Sequence, residues 1–186
     1  LKRGRLARLQ RAEDLLATGR LPEGVQWLRE LVRDYPDSSW AWFRLGRALL
    51  QLGDLAGAES ALQTALGKDP NLVGAHFYLG VISFQQGHLP RAEAAFRRAL
   101  ALKPDFALAY FNLGQCLLRA GDQDGAREAF RAAIENKPRY AEAHAELAAL
   151  LARQGHPTEA LEQAHEALQL DPNNAQAQKL LQSKGG

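Results

Sequence analysis

The sequence predicts an all-α protein in which one helix–turn–helix unit recurs along the chain. Three residue types predict it by keeping a common step of 34. Pro36, Pro70, Pro104, Pro138 and Pro172 hold that spacing without slippage. Gly19, Gly53, Gly87, Gly121 and Gly155 hold it too, as do Ala7, Ala41, Ala75, Ala109, Ala143 and Ala177. A fixed period of this size is the signature of stacked supersecondary units. Within each period the apolar residues recur at helical spacing, and no strand pattern competes.

Residues 73–106 show how one unit is built. Val73 to Gln86 carries Ala75, Leu79 and Ile82 at helical spacing. Gly87 then ends the helix, because glycine adopts the left-handed conformation at no steric cost. A second amphipathic run follows from Leu89 to Leu102, with Pro90 in its first turn, where the missing N–H costs nothing. Pro104 closes the unit. Asp37, Asn71, Asp105 and Asn173 follow four of the period prolines and are expected to cap the next helix, with Arg139 a weaker cap in the remaining place. Pro22, Pro90 and Pro157 fall at the starts of second helices, so all eight prolines mark boundaries.

These residues resemble the tetratricopeptide repeat, whose pattern is W-x2-L-G-x2-Y, then A-x3-F, A and P. Unit 5–38 is degenerate: Arg8 and Arg11 replace Trp and Leu, Gly24 replaces Ala, while Gly19, Leu28 and Pro36 remain. Unit 39–72 matches through Trp42, Leu45, Gly46, Leu49, Ala58, Leu62, Ala65 and Pro70. Unit 73–106 keeps Leu79, Gly80, Ala92, Phe96, Ala99 and Pro104, with His76 and Ser83 as departures. Unit 107–140 matches through Tyr110, Leu113, Gly114, Leu117, Ala126, Phe130, Ala133 and Pro138. Unit 141–174 keeps Leu147, Ala160, Ala167 and Pro172, with Ala148 for Gly and Ala164 for the aromatic. Residues 175–182 read as a capping helix with Gln176, Gln178, Lys179 and Gln182 outward. The resemblance implies a right-handed α-solenoid (superhelix) of tandem antiparallel helix pairs, here one domain over 1–186. Gly46, Gly80 and Gly114 are expected to meet Ala58, Ala92 and Ala126 at the helix crossings, with Phe96 and Phe130 between neighbouring units. Polar ends should close the array, through Arg5, Arg8 and Arg11 at one end and 175–182 at the other.

Catalytic motifs are missing. There is no G-x-S-x-G, phosphate loop or H-E-x-x-H, and no paired-carboxylate context. Cys116, the one cysteine, reads as a buried inert thiol. His76 and His144 share the consensus aromatic position, His88 and His156 share a turn, and His165 lies on a second helix, so no metal site is expected. No cofactor is implied.

The resemblance implies a concave surface lined by first helices, at unit positions 2, 5, 6, 9, 12 and 13. Position 5 holds Phe43, Phe77 and Phe111, edged by Trp40, Arg44, Arg47, Tyr78, Val81, Phe84, Asn112, Gln115 and Arg119. Aromatic and arginine side chains dominate protein-binding hot spots. The expected ligand is a protein or peptide segment, partly apolar, with acidic groups meeting Arg44, Arg47 and Arg119. The rings also fit burial as core between units; Trp40 and Phe84 are the two expected to stay exposed. Phe43 and Arg47 stand where a chaperone-tail clamp needs Lys and Asn. The series Gln10, Arg44, Tyr78, Asn112, Glu146 is not the asparagine ladder of glycosyltransferase-type arrays.

With 23 basic and 21 acidic residues, the net charge of +2 gives no global field for nucleic acid, and the acidic unit 141–174 opposes a track for RNA phosphates. No apolar run reaches the roughly 20 residues of a membrane span, and no secretory segment opens the chain. Residues 1–11 hold Lys2, Arg3, Arg5, Arg8 and Arg11 without an acid, while 141–174 holds Arg153 against Glu142, Glu146, Glu159, Glu162, Glu166 and Asp171. Solvated caps account for this asymmetry; weak head-to-tail self-association is the sharper reading. The expected function is a non-catalytic protein–protein interaction scaffold. The alternative is a substrate-presenting or regulatory domain excised from a larger enzyme such as a glycosyltransferase, consistent with a chain that lacks Met and starts at Leu1. Cytosol and periplasm both fit.

Overall fold

The computed structural model describes residues 2–182, with side chains from residue 10 onward. It contains eleven α-helices and, among the described residues, no strand. They are α1 Lys2–Ala17, α2 Leu21–Asp34, α3 Ser39–Leu52, α4 Leu55–Lys68, α5 Val73–Gln85, α6 Leu89–Leu102, α7 Ala107–Ala120, α8 Gln123–Asn136, α9 Ala141–Arg153, α10 Pro157–Leu170 and α11 Ala175–Gln182. Odd-numbered helices are the first helices of the repeat and even-numbered ones the second. The repeat pattern alone reads as one domain; the chain divides into two compact units, Leu1–Gly87 and His88–Gly186, with the division inside repeat 73–106. Lys2, Arg3, Arg5 and Arg8, the basic cluster of the self-association reading, lie outside the described side chains.

The turns follow the prolines and glycines closely. Gly19, Gly53, Gly87, Gly121 and Gly155 all take positive φ, between 76° and 90°. At Gly53 the N–H closes back on α3 through Leu49 and Leu50 carbonyls. The caps differ from expectation. First helices start one residue later than Asp37, Asn71, Asp105 and Asn173 allow. Ser38 caps α3 by accepting from the Ala41 N–H, and Asn174 accepts from Ala177 N–H at α11. Leu72 and Phe106 precede α5 and α7 and make no side-chain cap. Asp37 instead pairs with Lys68 at 2.7 Å. Asp69 and Asp171 tie the turns by accepting from the backbone N–H of Asn71 and Asn173.

Second helices start in two ways. Asp54 and Asp122 cap α4 and α8, each accepting at 2.9 Å from the N–H of Gly57 or Gly125. Helices α2, α6 and α10 have no side-chain cap but carry proline at N1 or N2. Proline removes an orphan donor; aspartate satisfies one.

A hydrogen bond explains the departures at the consensus tryptophan position. Trp42 Nε1 donates to the Pro36 carbonyl at 2.8 Å, and Gln178 Nε2 donates to Pro172 at 2.8 Å. The Nε2 atoms of His76 and His144 stand 2.9 Å from the Pro70 and Pro138 carbonyls. A carbonyl only accepts, so in both rings Nε2 is the donor to it. Aromaticity is dispensable here; what recurs is an N–H that reaches the turn six residues upstream. It pins α3, α5, α9 and α11 to the prolines that precede them.

The crossings use glycine differently from expectation. A Cβ on Gly46 would lie 2.7 Å from Leu62 Cγ and 3.2 Å from the Ala58 carbonyl, so the facing bulk is Leu62 rather than the alanine methyl. A Cβ on Gly114 would lie 2.6 Å from the Phe130 ring. Phe130 therefore fills the crossing within its own repeat, not a space between neighbours. In the first repeat the roles reverse: Gly24 on α2 faces Leu16 and the Ala12 carbonyl of α1. The close approach survives because the small residue has moved to the other helix. The core of Leu1–Gly87 gathers Leu28, Leu31, Leu45, Leu62 and Ile82. That of His88–Gly186 includes Phe96, Phe130, Leu150 and Leu151.

Candidate functional site

The first helices carry a candidate binding surface in each unit. In Leu1–Gly87 it lies on α1, α3 and α5. Position 5 belongs largely to the wall. Phe43 is half-buried, and a Cβ on Gly74 would lie 2.6 Å from its ring, so the outer edge of the ring abuts α5 where only glycine leaves room. Phe77 is 4% exposed and meets the Tyr78 ring edge-on at 5.2 Å. The expectation that Phe77 lines an open groove is therefore corrected: its ring is core, where aromatic area is worth most.

Trp40, Arg44, Arg47, Tyr78, Val81 and Phe84 are half-buried and remain on this face. Arg44 sits over the Trp40 ring at 5.3 Å and forms an ion pair with Glu13 of α1. Burial pulls its guanidinium below the usual arginine range, and the Arg47 charge adds to this. Arg47 lies over Phe43 at 5.9 Å and over Tyr78 at 5.4 Å. Arg44, expected to receive ligand acids, already has an acid. A cavity of 180 Å³ lies here, lined by Glu13, Leu16, Ala17, Arg44, Arg47, Ala48 and Gln51.

In His88–Gly186 the surface lies on α7, α9 and α11. Phe111 is half-buried between Phe130 at 5.8 Å and Tyr140 at 5.0 Å, again a wall residue. Asn112 turns its amide back to the Leu108 carbonyl at 2.8 Å. Gln115 is half-buried and Arg119 exposed. Leu108, at position 2, is 43% exposed. The larger feature is one that the aromatic strip did not announce. A hollow of 670 Å³ opens beside α9 and α11. Leu118, Ala149, Ala152 and Leu180 are its half-buried apolar lining; Arg153, Gln176 and Lys179 are exposed at its margin beside Glu146. The signal in the sequence was the pair of alanines at first-helix positions 9 and 12 of the last repeat (Ala149 and Ala152).

Chemistry elsewhere in this unit is quiet. Cys116 is 1% exposed and donates its thiol to the Leu89 carbonyl at 3.3 Å. Burial, then the Glu93 charge, pushes its thiol pKa up, which suppresses the thiolate. His144 is 6% exposed, with Nδ1 2.8 Å from Gln163 Oε1. Burial, then Glu142, raises the Tyr140 hydroxyl to about 12. Among the described residues no cluster of three or more His, Cys, Asp or Glu converges, and no helix is long and apolar enough to cross a membrane.

Comparison with known proteins bears on this geometry. No curated protein matches the sequence. Among solved structures, PilF of Pseudomonas aeruginosa superposes with a TM-score of 0.88 at 20% identity, over 96% of this chain and 82% of that one. MamA superposes at 0.79 with 23% identity, over 88% of this chain and 96% of that one. YrrB, a tetratricopeptide repeat protein with an unusual peptide-binding site, superposes at 0.75 with 20% identity, over 94% of this chain and 90% of that one. At these identities the likeness is one of fold. A tetratricopeptide repeat model matches residues 9–73, 57–105 and 79–141, and another matches 141–174. Matched from residue 9 to residue 174, the chain belongs to the tetratricopeptide repeat family.

Proposed function

We propose that this chain is a non-catalytic protein-interaction scaffold that seats a peptide or helical segment of a partner on the face made by its first helices. The observation that carries this reading is what packing leaves over on that face. In Leu1–Gly87, Trp40, Tyr78, Val81 and Phe84 stay half-buried after the position-5 rings are consumed by the wall. In His88–Gly186, Leu108 and the hollow beside α9 stay open. Part-exposed aromatic and aliphatic groups beside arginines are what hot spots are made of. The family is one of generally non-catalytic scaffolds, and its member YrrB has a peptide-binding site. Among the described residues the one thiol is buried and His144 is tied to Pro138 and Gln163, so neither offers a rival chemistry.

The test is selection of binders from a random peptide library, followed by hydrogen exchange of the complex. Protection on α3, α5, α7, α9 or α11 is expected. Protection confined to second helices, or no binder at all, contradicts the reading. Phe77→Ala is a poor reporter here because the ring is core. Trp40→Ala and Arg47→Ala leave the core intact and report on the face.

A further inference from the structure

We propose that the hollow beside α9 and α11 binds a short acidic peptide segment carrying an aliphatic side chain. This rests on the scaffold reading and names its ligand class in one unit. The hollow exists because the last repeat is small where earlier ones are large. At position 9, Arg47, Val81 and Gln115 give way to Ala149; at position 12, Leu50, Phe84 and Leu118 give way to Ala152. The space vacated on α9 is bounded by α7 through Leu118 and by α11 through Leu180, giving 670 Å³. That volume falls among those of ligand sites.

The charges select the occupant. Arg153 and Lys179 are exposed at the margin and form no ion pair among the described residues. Glu146, the carboxylate of the lining, already accepts from the Gln176 amide at 3.3 Å. On α8 both arginines are spent: Arg127 pairs with Asp124 at 3.1 Å, and Arg131 with Glu159 at 3.3 Å. Two uncommitted cations flanking an apolar floor call for carboxylates flanking an apolar side chain. The cations at the margin are Arg153 and Lys179, so the peptide's carboxylates are assigned to these two and its leucine to the floor at Ala149 and Ala152, away from Glu146.

Fluorescence anisotropy with the labelled peptide Glu-Leu-Asp-Leu-Glu and the 186-residue chain tests this. Binding is expected, weakened about tenfold or more by Ala149→Phe, which fills the hollow, and by Lys179→Glu, which is exposed and leaves the fold untouched. Gln26→Ala, exposed on the second helix α2 of the other unit, should change nothing. The peptides Glu-Ala-Asp-Ala-Glu and Lys-Leu-Lys-Leu-Lys should bind weakly or not at all. No binding, equal binding of the lysine peptide, or binding indifferent to both Ala149→Phe and Lys179→Glu overturns the proposal. If the acidic peptide fails while library peptides still protect first helices, the hollow's ligand is wrong and the scaffold reading stands. Sedimentation showing self-association that Ala149→Phe abolishes would make a second copy the occupant, which also overturns it.

Discussion

Gly46→Ala and Gly67→Ala make the same chemical change in one helix pair and should have opposite effects. A methyl on Gly46 would sit 2.7 Å from Leu62 Cγ and 2.9 Å from Cδ2. Comfortable carbon contacts start near 3.5 Å, so about 0.8 Å of overlap must be relieved. Leu62 is 0% exposed and has nowhere to rotate. Overpacking of this kind costs roughly 1–3 kcal/mol. Against it stands the helix preference of alanine over glycine, about 1 kcal/mol. The net for Gly46→Ala is a loss of roughly 0–2 kcal/mol. Gly67, in the last turn of α4, has nothing within 4 Å of a built Cβ. There the preference acts alone and Gly67→Ala should stabilise by about 0.5–1 kcal/mol. For a chain this long the two variants should separate by roughly 3–10 °C in Tm. Thermal melts followed by far-UV circular dichroism read this directly. Equal shifts of the same sign would refute the reasoning, because then the Leu62 contact decides nothing.

Three further perturbations follow from the same geometry. Tyr140, 7% exposed, has its hydroxyl raised to about 12, so its stabilising contribution is complete below pH 10 and lost as pH rises towards 12. Tyr140→Phe should flatten that alkaline limb, which spans roughly 2–3 kcal/mol in urea titrations at successive pH values. His76→Gln keeps an N–H for the Pro70 carbonyl, as Gln178 does for Pro172, and should lie within about 0.5 kcal/mol of the parent, whereas His76→Leu should lose about 1 kcal/mol by urea denaturation. Asp54→Ala removes the cap on the Gly57 N–H and should cost about 1 kcal/mol, with faster amide exchange in the first turn of α4.

The fold was legible because its signals are local and repeated. A turn glycine with positive φ needs no tertiary information, and the same residue type at all five turns leaves one reading. Cap positions were harder. The N-cap falls one residue after Asp37 and Asn71, on Ser38, which can cap, and on Leu72, which cannot, leaving Asp37 for Lys68. The candidate site was legible in its address and misread in its detail. Position 5 does lie between first helices, but whether a ring there meets solvent depends on the next helix. Gly74 receives the Phe43 ring, and Tyr140 closes over Phe111. Arg44 looked uncommitted because its partner Glu13 lies 31 residues upstream on another helix. The hollow went unread because it is made by absence: Ala149 and Ala152 leave space only when α7 and α11 hold the walls apart.

Amide chemical-shift mapping of the full chain with the peptide Glu-Leu-Asp-Leu-Glu tests where recognition happens. Shifts centred on Ala149, Ala152, Arg153 and Lys179, with α8 and α10 silent, are what this arrangement of helices predicts. Shifts centred instead on Arg127 and Arg131, on the second-helix face, would contradict it.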